Sequence, residues 1–202
     1  MNETTNDFVT YDFKVTRNDI DYYAQVTKRQ GVLLTLSGYA IPEEPNILSE
    51  KAQELAISFA KKIGFGDLVA TWVEVKENIA YINLAPTQDN VILYPDLIKV
   101  KVDMFAQNII GFEAQNYAFN HRSRTITKSV TQADAEKQLG IDYKVLNTRL
   151  AVIPLEDETE VVAYEFACDR INGLYYYYVD ANTGNIVKIL KVVDSNGTPL
   201  LV

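Results

Sequence analysis

The chain has 202 residues, of which 48% are hydrophobic, and it carries a formal net charge of -8 at pH 7. This hydrophobic fraction supports buried cores, in one large domain or in two to three small ones. The acidic balance argues against general nucleic-acid binding, which needs a basic face. The single cysteine, Cys168, excludes an internal disulfide and thiolate zinc clusters, and its strand-like surroundings favour a buried structural thiol.

The N-terminal part is predicted to consist of strands. Residues 1–7 are polar and acidic, unlike a signal peptide, and no apolar run in the sequence is long enough to span a membrane. Alternation of apolar and polar residues then predicts a strand over residues 8–15 and a strand–turn–strand hairpin over residues 20–39. No helix is predicted before residue 48.

The clearest helix is predicted over residues 48–63. Apolar side chains recur there at three- and four-residue spacing, which places them on one helix face. They are Leu48, Ala52, Leu55, Ala56, Phe59 and Ile63. Ser49 is predicted to cap the start of this helix, and Gly64 to supply a left-handed exit at its end.

Two hairpins follow, separated by a long connection. Residues 68–75 and 79–84 are predicted as the strands of one hairpin, and residues 97–112 as the next. Residues 85–97 between them contain several polar and turn-forming residues. Because function is often placed in connections, Tyr94 and Asp96 are candidate partner-binding residues.

The last third of the chain repeats the order helix, strand, strand, hairpin. Residues 120–124 form a polar bridge to it, and this bridge contains His121. Thr131 and Asp134 have the spacing of a capping box, which predicts a helix that ends near Gly140. Strands are predicted over residues 148–154 and 161–168, followed by a hairpin over residues 176–189.

One strand–turn–strand phrase occurs three times. The copies begin at Tyr23, Lys99 and Tyr176, so they are spaced by 76 and 77 residues. A period this long indicates tandem small domains and not a solenoid. We therefore predict an α+β fold of tandem units, each with an antiparallel sheet of about four strands packed against one helix.

The repeat predicts three parts. Residues 1–45 form a partial repeat of strands only, because its helix would lie upstream of Met1, so the chain is expected to begin inside a repeat. Residues 46–126 form a complete repeat with the elaborated connection at 85–97, and residues 127–202 form another complete repeat.

The turn of the middle hairpin departs from the other two. It has Gln107 where the other copies have Gly31 and Gly184. Glycine is the residue that most readily adopts a positive φ, and asparagine tolerates one better than glutamine. We therefore expect Asn108 to adopt the positive φ in this turn.

The sequence lacks the patterns of catalytic and metal sites. With one histidine it cannot hold a His-Glu-x-x-His zinc helix, and it has no CxxC pair, nucleophile elbow or glycine-rich phosphate loop. We predict no enzyme activity, no metal and no cofactor, with a cryptic hydrolase as the least favoured alternative. His121 is interpreted as a solvated linker residue and kept as a candidate partner-binding residue.

Four consecutive tyrosines, residues 175–178, can be interpreted in two ways. In a strand they alternate, so Tyr175 and Tyr177 face one side of the sheet while Tyr176 and Tyr178 face the other. Strand propensity and cross-strand packing explain them without a function. Alternatively, Tyr176 and Tyr178 form an exposed face for a protein or glycan partner.

Two stretches resemble known families. Residues 177–187 resemble the signature hairpin of PepSY domains. Residues 78–83, 91–102, 110–114 and 149–154, with Asn120 and His121, are similar to the C-terminal region of the YpeB family of germination proteins. The resemblance covers nearly the whole chain.

The resemblance implies a function that the residues alone do not reveal. YpeB-like proteins are non-catalytic, are anchored in the membrane by an N-terminal segment absent here, and lie outside the membrane on the cortex side of the spore inner membrane. It implies a regulatory or stabilising module needed to retain or protect the spore-cortex-lytic enzyme SleB. The alternative from the residues is a module that binds peptidoglycan through exposed tyrosines.

Overall fold

The structure is a computed structural model that describes residues 9–17, 19–41, 43–195 and 198–201. It is an α+β fold rich in sheet, with few helices. Its contacts divide the chain into two compact units. The first unit contains residues 1–85 and 96–121, and the second contains residues 86–95 and 122–202.

Thirteen strands lie within the described residues. In chain order they are β1 (Thr10–Arg17), β2 (Ile20–Thr27), β3 (Leu33–Ser37), β4 (Leu68–Lys76), β5 (Ile79–Gln88), β6 (Val91–Leu93), β7 (Ile98–Asp103), β8 (Asn108–Glu113), β9 (Lys144–Pro154), β10 (Glu160–Arg170), β11 (Gly173–Asp180), β12 (Ile186–Ser195) and β13 (Thr198–Leu201). The α-helices are α1 (Ser49–Lys62), α2 (Gln115–Asn120) and α3 (Gln132–Glu136), and 3-10 turns occur at Tyr94–Asp96 and Lys137–Leu139. Among these helices, none has the length and apolar character needed to cross a bilayer.

The first unit contains one sheet covered by α1. Its strand order is β1-β2-β3-β8-β7-β5, and β4 also pairs with β5. The alanines at positions 52, 56 and 60 of α1 are fully buried, and their small side chains let the helix backbone approach the sheet closely. Phe112 of β8 fills the core between Phe59 and Phe65, with ring centroids 5.6 and 5.3 Å away.

The second unit is built on β10, which is buried along most of its length. The strand order is β6-β9-β10-β11-β12-β13, antiparallel except that β6 runs parallel to β9. The short helix α3 contributes Ala135 to a core that includes Phe166 and Tyr177. The elaborated connection thus supplies β6, a strand of this second sheet.

Three equivalent turns connect the repeated strands. The left-handed conformation is adopted at Gly31 (φ 65°), Gln107 (φ 56°) and Gly184 (φ 79°), which are the corresponding positions of the three copies. In the middle copy, the Asp103 carboxylate accepts hydrogen bonds from the backbone N–H groups of Phe105 and Ala106 at 2.9 and 3.0 Å. This carboxylate holds the turn in place with glutamine in the glycine position, so the expectation that Asn108 takes the positive φ is wrong.

Local predictions about the helices have mixed outcomes. The helix predicted over residues 48–63 is confirmed as α1, and Gly64 leaves it at φ 101°. The predicted cap by Ser49 is wrong, because Leu48 occupies the N-cap and the Ser49 hydroxyl donates to Glu50 instead. The Thr131 cap is confirmed, since its Oγ1 accepts a hydrogen bond from the Asp134 N–H at 3.2 Å.

Strand predictions are confirmed where the residues are described. The strand predicted over residues 8–15 corresponds to β1, although Phe8 lies outside the described residues. Cys168 is buried in β10, and this burial raises the pKa of its thiol to about 11, as expected for an unreactive structural cysteine. The division into repeats at 1–45, 46–126 and 127–202 stays a prediction.

The turn at Gln107 generates a stability prediction. A left-handed residue with a side chain costs roughly 1–2 kcal/mol, a cost that glycine does not have. We therefore expect Gln107→Gly to raise the free energy of unfolding of the first unit by about 1 kcal/mol. Trp72, the single tryptophan, lies in β4 of this unit, so its fluorescence during urea unfolding provides the measurement.

The equivalent turn provides the matched control. Gly184→Gln places the same side chain in the same conformation, so it should destabilise the second unit by a similar amount. A loss of stability in Gln107→Gly would contradict the strain assigned to this turn.

Candidate functional site

The five residues named from the sequence fall into two clusters. Tyr94, Tyr176 and Tyr178 surround Glu165 in the second unit. Asp96 and His121 pair with each other in the first unit. The boundary between the two units falls between Pro95 and Asp96, so the elaborated connection contributes to both clusters.

The Glu165 cluster is a row of side chains across three strands. In the register of the sheet, Glu165 of β10 lies opposite Arg149 of β9 on one side and opposite Tyr178 of β11 on the other. Glu165 is only 2% exposed. The Arg149 Nε donates to its Oε1 at 2.7 Å, so the buried carboxylate has a charged partner.

Tyr94 completes this cluster from the elaborated connection. Its hydroxyl donates to the Glu165 Oε2 at 2.6 Å and accepts a hydrogen bond from the Arg149 Nη2 at 3.3 Å. Burial, followed by the negative charge of Glu165, raises the pKa of Tyr94 well above its ordinary value. Tyr94 therefore stays neutral and acts as a hydrogen-bond donor that fixes residues 86–95 to the sheet.

The tyrosine run alternates across the sheet as predicted. Tyr175 and Tyr177 pack with the core that includes Ala135, while Tyr176 and Tyr178 lie near Glu165. Tyr178 is only 6% exposed, and burial is the main cause that raises its pKa. The expectation that Tyr178 presents an exposed ring is wrong, because it contributes to the buried row, and Tyr176 is half-buried.

Asp96 and His121 form a pair in the first unit. The His121 Nδ1 lies 2.8 Å from the Oδ2 of Asp96, whose side chain is fully buried, while the imidazole side chain is 42% exposed. The imidazole stacks on Tyr117 with centroids 4.1 Å apart. His121 is therefore held on one ring nitrogen and one ring face, which the interpretation as a freely solvated linker residue missed.

Arg124, on the C-terminal side of His121, is held in place by an ion pair with Glu160. Arg124 donates two hydrogen bonds to Glu160, from Nε at 2.7 Å and from Nη2 at 2.9 Å. The hydrogen bonds from Arg124 lower the pKa of Glu160. Gln88 adds reciprocal hydrogen bonds to the backbone of Arg124, at 2.6 and 2.9 Å.

Sequence reasoning missed Arg149, Glu165, Arg124 and Glu160. A usable signal was present at Glu165, which is an acidic residue in the middle of the apolar stretch 161–168. An acid at a buried strand position requires a cationic partner. Arg149 could be assigned as that partner only with the register of β9 and β10, which a single sequence does not provide.

The side chains of the Glu165 cluster have a structural role. Within the described part of the chain, no group of three or more His, Cys, Asp or Glu side chains is arranged to hold a metal ion. The polar atoms of Tyr94, Glu165 and Arg149 are used in hydrogen bonds to one another. This arrangement stabilises residues 86–95 as part of the second unit.

Comparison with known proteins places the chain in a family. The family model for the YpeB sporulation PepSY1 and PepSY2 domains matches residues 1–127. The chain belongs to the YpeB sporulation family. The sporulation protein YpeB of Bacillus subtilis is 29% identical over 195 residues, and that of Halalkalibacterium halodurans is 27% identical over 175 residues.

A solved structure shares the fold. The C-terminal domain of Bacillus megaterium YpeB superposes with a TM-score of 0.84 at 26% sequence identity, covering 96% of this chain and 87% of that one. The alignments cover 93% of this chain but only 43% of the Bacillus subtilis protein, and 86% against 39% for Halalkalibacterium halodurans. The chain thus spans less than half the length of these two relatives.

The Glu165 cluster predicts that removing one charge destabilises the protein more than removing both charges. Arg149→Met leaves the Glu165 carboxylate buried without its cation, which should lower the free energy of unfolding by about 3–5 kcal/mol. Removing both charges, in Arg149→Met with Glu165→Gln, should restore much of that loss. Urea unfolding followed by circular dichroism measures both effects.

Lys144→Met is the control, because Lys144 is an exposed cation on the same strand. It should change the stability by less than about 0.5 kcal/mol. Equal stability of Arg149→Met and the wild type would contradict the cluster described above.

The Arg124–Glu160 pair predicts that the free energy of unfolding depends on pH. The folded-state pKa of Glu160 is lowered from its ordinary value of 4.5, so the pair stabilises the protein above pH 4.5 and this contribution is lost as pH falls through the folded-state pKa. Glu160→Gln should cost about 1–3 kcal/mol at pH 7. The difference in unfolding free energy from the wild type should shrink below pH 4.5.

Glu156→Gln, a change at a nearby exposed acid, is the control and should leave the stability close to that of the wild type. A difference between Glu160→Gln and the wild type that grows as the pH falls would contradict a lowered pKa of Glu160 in the folded state.

Proposed function

We propose that the chain is a non-catalytic regulatory module of spore germination, needed to retain or protect a spore-cortex-lytic enzyme of the SleB type. Its membership of a family whose relatives are named sporulation proteins carries this proposal. In this proposal the chain consists of tandem PepSY-like units, each with a sheet of about four strands and one helix. In this proposal it acts outside the membrane, on the cortex side of the spore inner membrane.

Much of the elaborated connection is buried and is not accessible to a partner. Asp96 is fully buried, and β6 and Pro95 are buried as well. A partner needs accessible apolar groups for the centre of its interface. Strand β1 offers such groups, because Tyr11, Phe13 and Val15 are each about half exposed and alternate on one face.

Strand β1 is also an edge of its sheet. Among the described residues it pairs only with β2, so its outer backbone groups are available to an added strand. An exposed apolar edge is a recognised position for protein–protein contact. We propose that the lytic enzyme contacts this edge.

The proposal can be tested by deleting and restoring the gene and measuring the lytic enzyme in spores. In the native host, deletion of the gene should remove most of the lytic enzyme from dormant spores, as measured by immunoblot. A full-length gene with Tyr11→Ser and Phe13→Ser should restore less of the enzyme than the wild-type gene does, because the apolar edge is replaced by polar side chains.

Ile141→Ser with Ile171→Ser is the matched control, since both isoleucines are almost fully exposed in the second unit. This variant should restore the enzyme fully, at equal abundance of the module. An unchanged amount of lytic enzyme in the deletion strain would overturn the proposed function.

A further inference from the structure

A cavity of about 590 Å³ lies in the first unit. One wall is the turn between β2 and β3, and the other contains Tyr117 and His121. Its volume falls in the range of small-molecule sites. Among the described residues that line it, none is acidic, although the chain as a whole has a net charge of -8.

The turn that forms the first wall is held in a defined conformation. The Thr27 hydroxyl donates to the carbonyl of Arg29 at 2.6 Å and accepts from the Val32 N–H at 2.9 Å. Gln30 and Gly31 both have a positive φ, of 72° and 65°. The wall is thus pre-organised, which lowers the entropy that a ligand must overcome.

This wall carries two cations, Lys28 and Arg29. Lys28 and Arg29 line the cavity, and neither side chain forms an ion pair with any described carboxylate. The Lys28 ammonium lies 5.0 Å from the centre of the Tyr11 ring. Two cations that pair with no carboxylate in the described part of the chain, beside one cavity, favour an anionic ligand.

The opposite wall contributes an oriented hydrogen-bonding group. The His121 Nδ1 is 2.8 Å from the fully buried carboxylate of Asp96, and the ring stacks on Tyr117. A carboxylate that accepts from Nδ1 fixes the tautomer and orientation of an imidazole. The Nε2 of His121 has no hydrogen-bond partner among the described residues, so it is available to a ligand in the cavity.

The cavity also has a small apolar part. Val32 and Ala118 line it together with the Tyr117 ring. Small apolar surfaces beside cationic donors match a ligand that combines carboxylates with methyl-sized side chains. Peptides of alanine and acidic residues have this chemistry.

We propose that this cavity binds a short acidic peptide, with Lys28 and Arg29 contacting its carboxylates and His121 positioned by Asp96 as a further polar contact. A stem peptide of peptidoglycan and an acidic segment of a protein are both sources of this chemistry. The inference does not rest on retention of a lytic enzyme, because the cavity is lined by none of Tyr11, Phe13 and Val15, although Lys28 of the cavity contacts the Tyr11 ring.

The single histidine makes a direct test possible. The probes are the tripeptide L-Ala–D-Glu–diaminopimelate and the linear peptide Ala-Glu-Glu-Ala made of L-residues. Titration of either probe into the protein labelled with ¹⁵N-histidine should shift the imidazole resonances of His121 with saturation. The probe that binds more tightly identifies the source of the natural ligand.

Two double variants distinguish binding in the cavity from general electrostatic attraction between the protein and an acidic peptide. Lys28→Gln with Arg29→Gln should weaken binding roughly tenfold or more, because two charge-assisted contacts are lost. Lys61→Gln with Lys62→Gln removes the same charge from exposed positions of α1 and should leave the affinity unchanged. Imidazole resonances that do not move with either probe would overturn the proposal, and so would equal weakening by the two double variants.

Discussion

The buried carboxylate of Glu165 constrains the architecture of the second unit. A charge at a position that is 2% exposed is tolerated only when hydrogen bonds and a cation compensate its lost hydration. Arg149 supplies the cation and Tyr94 supplies a hydroxyl, at 2.7 and 2.6 Å. The register of β9 and β10 and the position of residues 86–95 are therefore coupled through one carboxylate, because a change in either would leave it uncompensated.

This constraint changes the interpretation of the elaborated connection. Length and polarity suggested a surface for a partner, yet its residues provide β6 and place Tyr94 against a buried charge. Asp96 has a similar structural part in the first unit, where it positions His121. The two binding surfaces that we propose, the apolar edge of β1 and the cationic cavity beside His121, therefore lie where the side chains stay accessible.

The sequence predicted those features that depend on local patterns. The spacing of apolar residues over 48–63 predicted α1, and the alternation of the tyrosine run assigned Tyr177 and Tyr176 to opposite faces of the sheet. Features that depend on register or on competing contacts were missed. Ser49 has the right chemistry for a cap but lies one residue inside the helix, and the partner of Glu165 is 16 residues away on another strand. Tyr178 is buried because the Glu165 row includes it, which strand propensity does not encode.

The equivalent turns of the repeated hairpins share one backbone conformation, with a positive φ at Gly31, Gln107 and Gly184. We propose that the partner is contacted at the surface, along the edge formed by β1. The most direct measurement is photo-crosslinking in intact spores, with a photoreactive phenylalanine analogue in the full-length protein at Phe13 or, as a control, at Ile171. We predict that the analogue at Phe13 forms a crosslink to the lytic enzyme, identified by mass spectrometry, and that the analogue at Ile171 does not. Absence of that crosslink at Phe13, or equal crosslinking at Ile171, would contradict the assignment of the β1 edge as the partner surface.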